Sequence, residues 1–199
     1  MNRILVLSLA VVAGAAVAQQ PAATLTRLHD TVEKSDASSL LIKERDGREI
    51  ALVYADNVRI TQIAPIDPAA LQAGNFVGTT AVPGADGALS AVEVHVFDEA
   101  ARGTGEGHRP MDILPNATMT NATVTAITNG PNERTMTLRY KDGEKTIHVP
   151  NGVPVVTMKA GDRSMLVAGA KVTVIEQMRD GHAVATRVQV GRNGYTPPT

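Results

Sequence analysis

The strongest constraint on this chain is an internal duplication. "LLIKERDGREIALVYADNVRI" at residues 40–60 is answered by "MTLRYKDGEKTIHVPNGVPVV" at residues 136–156, with Asp46-Gly47 and Asp142-Gly143 falling 96 residues apart. "LQAGNFV" at residues 71–77 is answered by "LVAGAKV" at residues 166–172, 95 apart. Asp86-Gly87 then precedes "SAVEVHV" (90–96) as Asp180-Gly181 precedes "ATRVQV" (185–190), 94 apart. Landmarks in one order, at an offset that drifts by only a residue or two, mean that one structural unit has been written twice.

Each copy carries strand chemistry. Met136, Leu138 and Tyr140 alternate with polar neighbours, the period of a half-buried strand. Asp-Gly is a strong hairpin signal because a type I′ turn needs positive φ at both central positions. Val58 and Ile60, with Val153, Val155 and Val156, predict a third strand, and the Ala-Gly step before Phe76-Val77 and Lys171-Val172 leads into a fourth. Val92, Val94 and Val96 mark a fifth, as do Val184, Thr186, Val188 and Val190. Opening strands are expected at residues 26–33 and 121–127. Five or six short strands per copy predict a small barrel, since closure removes exposed edges. The expectation is all-β: two tandem OB-like Greek-key barrels at residues 26–97 and 121–191. A meander barrel or small sandwich is the alternative. Residues 98–120 read as a Gly/Pro-rich linker and 192–199 as a C-terminal tail.

The start of the chain reads as a signal peptide at residues 1–18. Arg3 supplies the positive charge, residues 4–15 the apolar run, and Ala16-Val17-Ala18 the small-x-small cleavage rule. Such a chain is expected in the periplasm or secreted. It has no cysteine, so no disulfide or lipid-bearing thiol can hold it, and it must bury a real core. Past residue 18 the charges nearly balance, 18 basic against 20 acidic, and no segment approaches the ~20 apolar residues of a membrane helix. Near-neutral charge, no tryptophan and few other aromatics argue against a nucleic-acid partner.

"GTGEGHRP" at residues 103–110 invites a phosphate-binding reading. It lacks the Gly-Lys-Ser/Thr ending, and Pro110 and Pro115 would interrupt any helix that followed. Three further stretches carry a resemblance: "EVHVFDEAARGTGEGHRPMD", "YKDGEKTIHVPNGVPVVTMKAGDRSMLVAGAKV" and the tail "VGRNGYTPP". Through them the chain is similar to small bacterial exported proteins built from tandem β domains of uncharacterised role. Some of these are described as metal transporter permease-like, which a chain without membrane spans contradicts. The resemblance implies no catalytic residue. Family members tend to carry tryptophan where this chain has Met111.

If Val92, Val94 and Val96 face the core, Glu93, His95 and Phe97 share the opposite face. Glu93 and His95 are then neighbours able to share a metal ion, and His108, Met111 and Asp112 could complete a site if the linker folds back. The bland alternative is a solvated strand surface with Phe97 covered by the linker. The second copy has Arg187 and Gln189 at the equivalent positions, so the two surfaces diverge in chemistry. Arg102, Glu106 and Arg109 are expected as docking contacts that fix the angle between barrels. His148 reads as sheet surface, His182 as exposed, and His29 as uninformative. Met119 and Met136 are too dispersed for a copper motif and suit core filling. Asn116-Ala117-Thr118 and Asn121-Ala122-Thr123 match the glycosylation pattern but suit turns and caps. Cysteine is absent and no serine sits in a G-x-S-x-G elbow.

These residues imply an exported, non-enzymatic binding or adaptor protein with no resident cofactor, its partner an envelope protein or a small ligand. The alternative is a periplasmic divalent-metal or copper binder using Glu93, His95, His108 and Asp112.

Overall fold

The computed structural model describes residues 25–84, 87–111 and 114–197. The expected signal peptide, Asp86 and Asp112 lie outside them. The chain is mostly strand and forms closed β-barrel structure. Its first half gives β1 (Leu25–Ser35), β2 (Ser39–Lys43), β3 (Glu49–Pro65), β4 (Phe76–Pro83) and β5 (Leu89–Phe97). A short β6 (Gly107–Pro110) follows in the expected linker. The second half gives β7 (Thr118–Asn129), β8 (Glu133–Tyr140), β9 (Gly143–Pro150), β10 (Val155–Ala160), β11 (Lys171–Arg179) and β12 (His182–Gly191). β3 is the counterpart of β9 and β10 joined. In the second copy Asn151, Gly152 (φ +88°) and Pro154 break the strand; in the first, nothing of that kind separates Tyr54 from Pro65.

Pairing resolves these strands into two rings. Ring one runs β1-β2-β3-β12-β11 and closes on β1; ring two runs β7-β8-β9-β5-β4 and closes on β7. One pairing in each is parallel, β12 on β3 and β5 on β9. Each ring therefore takes three strands from one copy and a hairpin from the other. This corrects the expectation that residues 26–97 and 121–191 each bury their own interior. The physical cause is β3, which runs through the place where a barrel corner would turn it back. The Asp67-Pro68 turn then delivers the β4–β5 hairpin to β7. Asp67 caps that turn through Ala69 N (2.8 Å), and Asp162 caps the matching turn before β11 through Ser164 N (2.8 Å).

Both cores record the exchange. Ring one packs Val32, Leu40, Ile42, Leu52 and Tyr54 from the first copy against Val172, Val174, Val188 and Val190 from the second. Ring two packs Val77, Ala91 and Val94 against Val124, Met136, Leu138 and Ile147. Burying one such side chain contributes about 1.5–3 kcal/mol, so neither copy retains a full core without the other.

The rings meet where β3 pairs antiparallel with β10, and that register is self-consistent. Thr61 lies opposite Ala160; adding 96 to the first and subtracting 96 from the second gives Thr157 opposite Ala64, also observed. A pseudo-two-fold axis thus passes between β3 and β10. The bulges obey it too, Glu33 on β1 matching Thr125 on β7, and Val92 on β5 matching Thr186 on β12. The bulge at Val92 corrects one detail of the expected fifth strand: Ala91 joins Val94 inside ring two, while Val92 is only half-buried.

Candidate binding face

Strands β11, β12, β3, β10, β5, β4 and β7 form one continuous sheet through both rings. Directly paired residues point to the same side of a sheet, so its outer face can be read rung by rung. In ring two the rung through His95 continues to Gly78 and Asn121, and the rung through Glu93 to Thr80 and Met119. In ring one the equivalent rungs are Gln189–Thr173–His29 and Arg187–Ile175–Arg27.

Glu93 and His95 do lie together on the outer face, as their spacing predicts. They are not a solvated surface: Glu93 is 1% exposed and His95 7% exposed. His95 Nε2 is hydrogen-bonded to Glu93 Oε1. Arg27 and Tyr195 lie close enough to feel the Glu93 charge. Burial raises the Tyr195 phenol pKa, and Glu93 pushes the same way. Tyr195 belongs to the tail, which packs onto the strand end so tightly that a Cβ on Gly191 would overlap the Tyr195 carbonyl oxygen at 1.6 Å.

His108 is on the other side of the sheet. It sits opposite Thr120 on β6, and Thr120 shares its side with Thr79 and the core residue Val94. His108 Nδ1 is 2.8 Å from Thr120 Oγ1. Burial, then Lys145, lowers its pKa. Of the expected metal quartet, Glu93 and His95 are neighbours, His108 is separated from them by the sheet, and Asp112 lies outside the described residues. Among the described residues no group of three or more His, Cys, Asp or Glu is placed to hold a metal. Met111 does reach the Glu93 rung, its sulfur accepting from Thr80 Oγ1 at 3.7 Å.

The glycine-rich segment is a cover rather than a spacer. Gly103, Gly105 and Gly107 all have positive φ and fold it back over ring two. Asn121 Nδ2 donates to Thr104 O (2.9 Å), and β6 pairs antiparallel with residues 118–121 of β7. Phe97 packs tilted on Phe76 at 5.5 Å, and Arg102 lies over the Phe76 ring at 6.0 Å. Arg102 donates to Gly74 O (2.9 Å), and Glu106 accepts from Lys141 N (3.1 Å). Both contacts lie within ring two, which corrects the expected role of Arg102 and Glu106 between barrels. The Arg109 side chain donates to Gly105 O, 2.8 Å away.

Sequence reading missed the arginines of ring one. Arg27, Arg187 and Arg59 stand on one rung across β1, β12 and β3, with Ile175 between the first two. Arg187 and Arg59 are directly opposed and exposed, and neither has a hydrogen bond or ion pair among the described residues. Like charges so placed destabilise a sheet. Burial lowers the Arg27 pKa; Glu93 opposes that shift and Arg187 adds to it. Arg187 was visible as the divergent counterpart of Glu93. Arg27 and Arg59 carry no signal, because only the hairpin exchange brings their strands to β12.

No protein-family model matches this chain, and no curated protein and no solved structure matches it.

Proposed function

We propose that this chain is an exported, non-catalytic binding or adaptor protein built from two interlocked OB-like barrels, and that it receives an anionic partner on the outer face of ring one. The OB-like reading is supported by the strand order first-second-third-fifth-fourth in each ring, closed by a parallel pair. The carrying observation is the opposition of Arg187 and Arg59, whose side chains have no ion pair among the described residues. A cost of that kind is relieved when a carboxylate bridges two guanidiniums, which bind such groups through paired hydrogen bonds. The Glu93–His95 pair, by contrast, is buried on that face and its two side chains are hydrogen-bonded to each other.

The test is capture from an envelope fraction with immobilised wild-type protein and with the Arg59→Glu/Arg187→Glu double variant. Wild-type protein should retain an acidic partner that the folded variant loses; equal retention refutes the reading. Zinc and copper titrations followed by calorimetry address the second reading, a metal held by Glu93 and His95. A stoichiometric transition that disappears in His95→Ala would establish it in place of the first.

A further inference from the structure

The two rings differ at one strand edge. In ring two, residues 118–121 of β7 pair on one side with β4 and on the other with β6, which fills the length of edge that β8 leaves free. The equivalent stretch of ring one is residues 26–29 of β1. It pairs with β11 on one side, while β2 reaches only Thr31 to Ser35 on the other. Among the described residues no strand pairs with this free side. Ring two closes the edge with its own chain; ring one leaves its backbone donors and acceptors open.

We propose that residues 26–29 of β1 accept an extended acidic peptide segment of a partner protein, added antiparallel as β6 is added to β7. This rests on the adaptor reading above and supplies its mode of contact. The ring-two arrangement shows what fits: four residues of strand, preceded by Glu106, whose carboxylate reaches the backbone N–H of Lys141 in the β8–β9 turn. The ring-one counterpart of Lys141 is Arg45, in the turn between β2 and β3. Arg27 and Arg45 both lie close enough to His29 to shift its titration; Glu93 acts on it in the opposite sense. Of the acids beside Arg45 in its turn, Glu44 is bridged to Arg48, while Asp46 has no such bridge among the described residues. An acidic strand would find main-chain partners along β1, with the side chains of Arg27 and Arg45 beside it. Symmetric antiparallel pairing with a second copy, centred on Leu28, would bring Arg27 against the second copy's His29. Residues 19–24 contain no acidic side chain.

The experiment uses full-length protein and two synthetic hexapeptides of sequence Thr-Glu-Val-Glu-Val-Glu, one with alternate backbone nitrogens methylated. Amide exchange at residues 26–29 is followed by NMR. In free protein the outward amides should exchange rapidly; at probe concentrations near 100 times Kd the unmethylated peptide should slow them about a hundredfold. The methylated peptide, with the same charges, should not. Arg27→Glu/Arg45→Glu should abolish protection by the acidic peptide and confer it on a lysine-containing analogue. The proposal fails if neither peptide binds, if both bind equally, or if free protein already protects these amides through dimerisation or its own N-terminal residues. Loss of the envelope partner in the Arg59/Arg187 variant alongside a silent peptide would sink this inference while leaving the binding reading intact.

Discussion

At the rung where ring two carries Glu93, ring one carries Arg187; where ring two has Asn121 and Gly78, ring one has His29 and Thr173. The backbone around these positions is duplicated down to its bulges, so the strands impose no such difference. It follows what lies on top. Over ring two the chain lays residues 98–111, held through the amide of Asn121; Asn121 and Phe97 in turn leave room only for a glycine at 78, and Glu93 is buried against His95. Over ring one nothing among the described residues covers Arg187, and His29 settles for a hydrogen bond to Thr173 Oγ1 at 2.9 Å. One barrel surface has become interior, and its twin has stayed a surface.

The sharpest way to break this comparison is to truncate the two equivalent side chains. Glu93→Ala should cost about 3–5 kcal/mol in denaturant unfolding, because it strands buried His95 without its partner. Arg187→Ala should be neutral or slightly stabilising, since it relieves the opposition to Arg59. Equal costs would mean that the two faces are not distinct.

Core truncation tests the exchange itself. Leu138, fully buried in ring two, should cost about 2–5 kcal/mol when changed to alanine. Calorimetry of that variant should show one transition shifted as a whole, because each ring holds strands of both copies. Two separated transitions, with ring one unmoved, would contradict the interlocking.

A smaller effect tests the cover. A Cβ on Gly78 would stand 2.8 Å from Asn121 Oδ1 and 3.0 Å from the Phe97 ring, so Gly78→Ala should cost about 1–3 kcal/mol. It should also raise amide exchange in residues 103–110, whose anchor is Asn121. Unchanged exchange there would show that the segment is held by other contacts.

The smallest expected effect concerns Asp30, which stands inside ring one where ring two has Ala122. It is 8% exposed and its Oδ2 lacks a hydrogen-bond partner. Burial raises its carboxyl pKa above the ordinary value; Glu44 and Asp46 add to this, and Arg48 and Arg45 oppose it. A raised carboxyl holds its proton more firmly folded than unfolded, so its ionisation costs stability at neutral pH. That cost falls away as pH drops through the folded pKa to below the unfolded one. Asp30→Asn should therefore melt higher than wild type at neutral pH, with the advantage shrinking toward about pH 4. A difference independent of pH would show that Asp30 ionises without penalty.

Much of this molecule was readable before any coordinates. The Asp-Gly pairs and alternating valines placed the strands because a strand's period and a hairpin's turn are local properties, and ten of the twelve follow from them. The placing of Glu93 and His95 on one face was readable for the same reason. β6 was not, since four residues of glycine, histidine, arginine and proline pair only because β7 offers them an edge.

The amino-acid sequence by itself determined that one β unit occurs twice, with a valine-rich interior and no covalent staple. Only the tertiary structure decided which hairpin closes which ring. Equivalent hairpins present nearly the same apolar face, so either ring satisfies the local pattern. The choice falls to a non-local feature, the uninterrupted run of β3 past its own barrel, and that choice assembles the arginine rung and leaves the edge of β1 open.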